Sequence, residues 1–190
     1  NYAADNTELN DAAIIAAGNT VISYVAQIGE VGYASLAEAI AAAEAGNVVI
    51  DLLADATMDY NARDAFGTDD TTSITINGNG HTLTPTAARA INIDTTGNVV
   101  INDLTINAGE RAINIINKAS TVELNNVTAT AKNNAVMIAT SAGAVKLTIN
   151  ASDLTGLAVV NVAGAGAKVE INNTDITNVD ASSAEQYGAI

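Results

Sequence analysis

Acidic residues supply most of the ionisable chemistry of this chain. It carries 21 Asp and Glu against 7 Lys and Arg, for a formal net charge of −14 over 190 residues. One set of acids and amides stands out by position. Asp103, Asn126, Asp153 and Asp175 each precede a recurring aliphatic residue. If the chain winds into coils spaced about 4.8 Å apart, Asp153 and Asp175 become neighbours. Two carboxylates that close either share a proton or hold a cation, and oxygen ligands of this kind suit Ca²⁺. The competing reading, which we favour, is a turn ladder in which Asp caps backbone N–H groups. Asp64, Asp69 and Asp70 form a second acidic group, without the regular ligand spacing of a dedicated calcium loop. His81 is the sole histidine and lies in a Gly-rich stretch. With no partner beside it in sequence, it reads as a turn residue rather than a base.

Other chemistries are missing. There is no Cys, so disulfides, thiolate metal sites and thiol nucleophiles are excluded together. No nucleophile elbow, zinc motif or phosphate-binding loop appears, and Gly164-Ala165-Gly166 reads as a turn. The triplets Asn126-Val127-Thr128, Asn150-Ala151-Ser152 and Asn172-Asn173-Thr174 match the glycosylation acceptor pattern, but a structural repeat explains them. A chain this acidic repels phosphate backbones and anionic lipid surfaces, so neither nucleic acid nor a membrane surface is expected as a partner. No apolar run is long enough to span a bilayer, and no leader peptide is visible. No catalytic residue and no cofactor is assigned; Asp153 and Asp175 are the only metal candidates carried forward.

The elements that position these residues are legible as a repeat. Gly46-Asn47-Val48-Val49-Ile50-Asp51 returns as Gly97-Asn98-Val99-Val100-Ile101-Asn102. A looser form, apolar–any–apolar–Asn, ends at Asn77, Asn102, Asn125, Asn150 and Asn172. The period inside each block is two, which makes it a strand with alternate residues in the core. Stacked once per coil, the Asn amides can bond to one another along the axis as a structural ladder. A second column reads Leu83-Thr84, Leu104-Thr105, Val127-Thr128, Leu154-Thr155 and Ile176-Thr177. A third begins with Ala at Ala90, Ala112 and Ala135, and with a slight shift at Ala158. Three short strands per coil of about two dozen residues predict an all-β, single-stranded parallel β-helix of about six coils. The usual crossover hand makes it right-handed. The low aromatic content, 3%, fits a narrow solenoid filled with stacked aliphatics. The longest insertion, from Asp59 to Thr72, falls between columns. The recurring threonines could form a hydroxyl array of the kind that orders water, but one Thr per coil is explained by β-branched stacking alone.

Residues 1–46 form an expected N-terminal cap region and residues 47–190 the coils. Ser35 and Glu38 make a capping box for a helix over 35–45, with Leu36, Ile40 and Ala43 on one face and Gly46 at its end. Residues 1–24 are expected to add a strand or a further cap. The terminal Gly188-Ala189-Ile190 resembles the start of another third-column strand, so the coils are expected to continue past it or to stack end to end.

The stretch Tyr33 to Ala43, followed by Gly46-Asn47-Val48-Val49-Ile50, resembles the opening of pectin-lyase-like right-handed β-helix proteins. Val25 to Ala34 is similar to segments of large surface proteins of gut Firmicutes, and Ile76-Asn77-Gly78-Asn79-Gly80-His81-Thr82-Leu83 resembles a frequent β-helix coil. The resemblance spans about residues 25–180. It implies a fold that hosts lyases, hydrolases, esterases and adhesins alike. Asn173-Thr174-Asp175 resembles the first short motif of polygalacturonases, but the paired Asp, Gly-His-Gly and Arg-Ile-Lys of that family are missing. The expectation is therefore a non-enzymatic structural or adhesive module on a bacterial cell surface, meeting a host or neighbouring-cell protein or glycan. The alternative is a polysaccharide-active enzyme, or its remnant, built on Asp153 and Asp175 with calcium.

Overall fold

The computed structural model describes residues 23–43, 47–58, 73–86 and 88–179. In chain order, β1 (Ala26–Ile28) and β2 (Val31–Tyr33) form a hairpin, and helix α1 (Leu36–Ala42) follows. The first coil holds β3 (Asn47–Leu52) and β4 (Ala56–Met58). The second holds β5 (Ser73–Asn77), β6 (Thr82–Pro85) and β7 (Arg89–Ile93), and the third β8 (Asn98–Asn102), β9 (Thr105–Ala108) and β10 (Arg111–Ile115). The fourth has β11 (Thr121–Asn125), β12 (Thr128–Ala131) and β13 (Asn134–Ile138), and the fifth β14 (Lys146–Asn150), β15 (Asp153–Gly156) and β16 (Val160–Val162). The last described strands are β17 (Lys168–Asn172) and β18 (Asp175–Asn178).

These strands stack into three sheets, one per side of the coil. The first runs β17-β14-β11-β8-β5-β3-β1-β2, the second β18-β15-β12-β9-β6-β4 and the third β16-β13-β10-β7. From β3 to β18 every pairing is parallel and in register, which makes the fold a β-solenoid of about five turns. The expected first column is the observed one: Val49, Thr75, Val100, Glu123, Thr148 and Glu170 are register partners in turn. Their flanking aliphatics point inward. Ile74, Ile76, Val99, Ile101, Val122, Leu124, Leu147 and Ile149 are essentially inaccessible to solvent. Each such side chain removed from water contributes on the order of 2 kcal/mol.

The second column needs correction. Register pairs Leu83 with Ile106, and Ala129 with both Ile106 and Leu154. Leu104 and Val127 therefore lie two residues earlier, level with Ser152 and Thr174. A slip of two preserves the inward parity of a strand, so both positions are buried and the sequence pattern cannot tell them apart.

The N-terminal end is closed by the hairpin and the helix. Strand β1 runs antiparallel to β3, with Ala26 opposite Leu52 and Gln27 opposite Asp51, so the parallel stack stops there. Ser35 caps α1 by accepting the Glu38 N–H at 3.1 Å, and the Glu38 carboxylate accepts from the Ala34 N–H at 3.1 Å. Leu36, Ala39 and Ala43 then join the core beside Leu52 and Met58. The helix, Leu36–Ala42 with Ala43 as its C-cap, is shorter than the expected span; residues 44–46, with Gly46, lie outside the described residues. So do the expectations for residues 1–22, for 59–72 with Asp64, Asp69 and Asp70, and for the C-terminal Gly188-Ala189-Ile190.

Candidate functional site

The polar features of the coil gather at the corner between the first and second sheets. Each first-sheet strand from β8 on ends in an Asn, and the next residue turns the chain in the left-handed region. Asp103, Asn126, Ala151 and Asn173 have φ between 47° and 53°. Asn and Asp tolerate this conformation because their short side chains bond locally. Ala151 has no such compensation. Ala151→Asn is expected to raise stability by about 0.5–1 kcal/mol, seen as a melting temperature higher by about 2 °C. An unchanged or lower value would show that the corner is unstrained.

The strand-terminal amides bond up the axis. Asn77 donates Nδ2 to Asp51 Oδ1 at 2.8 Å, Asn102 to Asn77 Oδ1 at 2.9 Å and Asn125 to Asn102 Oδ1 at 2.9 Å. Asn150 donates to Asn125 at 2.8 Å and Asn172 to Asn150 at 2.9 Å. The polarity has a cause. An ionised carboxylate accepts only, so Asp51 obliges Asn77 to present its N–H₂, which leaves the carbonyl oxygen for Asn102. The choice propagates through every coil. A shorter ladder on the third sheet has the same direction: buried Asn114 donates to Asn92 Oδ1 at 2.9 Å.

The acidic set does not form one column. Asp103 belongs to the left-handed corner, where its Oδ1 accepts from Asn126 Nδ2 at 2.7 Å. Asp153 and Asp175 lie two positions later, at the starts of β15 and β18. They are register partners of each other, and Asp153 pairs on its other side with Thr128. Both face solvent. They are strand residues rather than turn caps; the corner work at these coils falls to hydroxyls. Ser152 Oγ accepts from the Val127 N–H at 3.1 Å and donates to the Asn150 carbonyl at 2.9 Å. Thr174 Oγ1 accepts from the Ser152 N–H at 3.3 Å and donates to the Asn172 carbonyl at 2.9 Å. Two of the glycosylation-like triplets thus have an internal use for their Ser or Thr.

His81 has a partner after all. Its Nδ1 lies 3.5 Å from Asp55 Oδ1, the same oxygen that accepts the Thr82 N–H at 2.8 Å. The carboxylate sits one coil earlier, 27 residues before Thr82, which local sequence cannot reveal. An open depression lined by Asn79, Gly80, Asp103, Thr105, Asn126 and Thr128 runs beside this corner. Its one carboxylate, Asp103, is already engaged by Asn126. On the third sheet Glu110 bridges Arg89 and Arg111 at 3.7 Å each, which relieves the repulsion between two guanidinium groups in register. Among the described residues, no group of three or more His, Cys, Asp or Glu is placed to hold a metal ion.

Comparison with known proteins gives no match. No family model fits the chain, and no curated protein or solved structure is significantly similar to it. The geometry above is therefore the whole basis for a functional reading. No helix among the described residues is long and apolar enough to cross a membrane. Sequence reading missed Asp51 as the ladder's anchor, although Asp51 occupies the Asn position of the first block. It also missed the His81–Asp55 contact and the hairpin that ends the stack.

Proposed function

We propose that this chain is a non-enzymatic structural and adhesive module of a bacterial cell-surface protein, of the pectin-lyase-like kind. Its partner on this reading is a protein or glycan of a host or neighbouring cell. The observation that carries it is the in-register stacking of outward side chains, coil after coil, on long sheets whose interior is filled. Such a solenoid presents continuous lateral columns rather than a cleft, and repeat proteins bind along surfaces of this type. The scarcity of aromatic residues argues against a face that stacks on sugar rings and favours hydrogen-bonded contact.

A second reading is supported by one placement, the adjacency of Asp153 and Asp175. Paired carboxylates are the working groups of glycoside hydrolysis, so a polysaccharide-active enzyme or its remnant would be centred there. Incubation with polyuronides, with and without Ca²⁺, separates the two. The adhesive reading expects no turnover, together with increased cell attachment when the chain is displayed on a non-adherent bacterium. Turnover that disappears in Asp175→Asn would overturn it.

A further inference from the structure

The second sheet carries more hydroxyls than the sequence suggests, because the two-residue slip merged two columns into one and left out Thr57, Thr82 and Thr130. Two outward positions recur on every strand. The first is occupied by Thr82, Thr105, Thr128, Asp153 and Asp175 in successive coils. The second is occupied by Thr84, Asn107, Thr130, Thr155 and Thr177, with Thr57 below Thr84. Between them, Leu83, Ile106, Ala129 and Leu154 point into the core and fix the orientation of both columns. The second column is exposed at Thr84, Asn107, Thr130 and Thr177 and half-exposed at Thr155. The hydroxyls of Thr84, Thr105, Thr128, Thr130 and Thr155 take no hydrogen bond within the described residues. In a chain of net charge −14, these two columns carry no charge until Asp153.

We infer that this face binds a crystalline water lattice, the surface of ice. Parallel in-register stacking repeats the columns every 4.8 Å or so, and the two positions on one strand lie about 6.6 Å apart. Tetrahedral geometry with O···O distances of about 2.8 Å places next-nearest oxygens of ordered water about 4.5 Å apart. Neighbouring hydroxyls of a column therefore fall close to alternate oxygens of such a lattice. Each hydroxyl offers one donor and two acceptors. The β-branched methyl beside it fixes the rotamer and fills the trough between columns. Amide ladders are a known device for keeping stacked strands flat, and the Asn77–Asn172 ladder runs along the adjoining corner. The two columns are uncharged from Thr82 to Thr130 and complement an uncharged lattice, whereas the exposed Asp153 and Asp175 hold their own hydration and bound the matching area at the C-terminal coils.

This inference names a ligand for the non-enzymatic surface module and rests on that reading. Thermal hysteresis and ice-recrystallisation inhibition of the full chain test it, beside Thr130→Lys on the second sheet and Thr148→Lys on the first, whose Thr148 side chain is also outward. The expected result is ice activity in the parent and in Thr148→Lys, and its loss in Thr130→Lys with an unchanged circular dichroism spectrum. A folded parent without ice activity, or equal loss in both variants, would overturn the inference. Either outcome leaves the adhesive reading standing if the displayed chain still promotes attachment. Polyuronide turnover would instead sink the module reading itself.

Discussion

Asn125→Ala is expected to lower the unfolding free energy by about 3 kcal/mol. The side chain sits in mid-ladder, donating to Asn102 and accepting from Asn150. Its removal breaks two hydrogen bonds and leaves an unpaired carbonyl oxygen on one side and an unpaired N–H₂ on the other, both half-buried. Such a loss exceeds the worth of the bonds themselves, because the orphaned groups bear their desolvation penalty. Asn172→Ala, at the exposed end of the ladder, removes the donation to Asn150 and a long, solvent-exposed one to Glu170 Oε1 at 3.3 Å, and leaves one unpaired amide carbonyl oxygen on Asn150. It is expected to cost under about 1 kcal/mol. Urea unfolding of both variants checks the pair. A lower midpoint with unchanged slope for Asn125→Ala would mean that the coils still unfold as one unit. Equal losses at the two positions would contradict a ladder whose interior rungs carry the stabilisation.

Gly78→Ala has an effect of similar size from a different cause. Gly78 is buried at the corner and donates its N–H to the Asn102 carbonyl at 2.7 Å. A Cβ built there would fall on the Asp103 carbonyl oxygen and within 2.7 Å of Leu104 Cα. These are backbone atoms of the next coil and cannot rotate away. Relief requires the second and third coils to part at a corner where Gly80 N–H also bonds to the Asp103 carbonyl at 2.8 Å. Overpacking of this kind costs on the order of 3 kcal/mol. Gly80→Ala is the control. Its φ is +80° and nothing lies within 4 Å of the added atom, so only backbone strain of about 1 kcal/mol applies. Thermal melts that rank Gly80→Ala as the more damaging would contradict the close approach of the two corners.

The two cases show which parts of the fold the sequence exposes. The first sheet was legible because its blocks combine a period of two with an Asn at a fixed end. Position and polarity then agree on one register. The third sheet was legible as far as its Ala and Ile positions, including the shift at Ala158, which register explains by pairing Val136 with Val160. The second sheet was misread because Leu104 and Ile106 are both buried, as are Val127 and Ala129. With two inward residues two apart, the Leu104-Thr105 pair of one coil matches the Leu154-Thr155 pair of another in sequence while lying two positions away in register. That slip joined Asp103 to Asp153 and concealed the second hydroxyl column. Contacts between coils, such as His81 with Asp55, are set by the coil length and leave no trace in neighbouring residues. The antiparallel hairpin was hidden for another reason: strands of three residues, Ala26–Ile28 and Val31–Tyr33, are too short to show a period.

Asp153 and Asp175 remain the point on which scaffold and enzyme part. They are adjacent and exposed, and among the described residues no third carboxylate joins them, whereas Ca²⁺ takes 6–8 oxygen ligands. The account of this protein as a metal-free surface module is tested most directly by calorimetry of the full chain across a calcium titration. A ligand that binds only the folded state raises the melting temperature, by an amount that grows with the logarithm of its concentration relative to its dissociation constant. The account predicts no shift up to millimolar Ca²⁺, in the parent or in Asp175→Asn. A clear rise in the parent that Asp175→Asn abolishes would contradict it and make the acidic pair a metal centre.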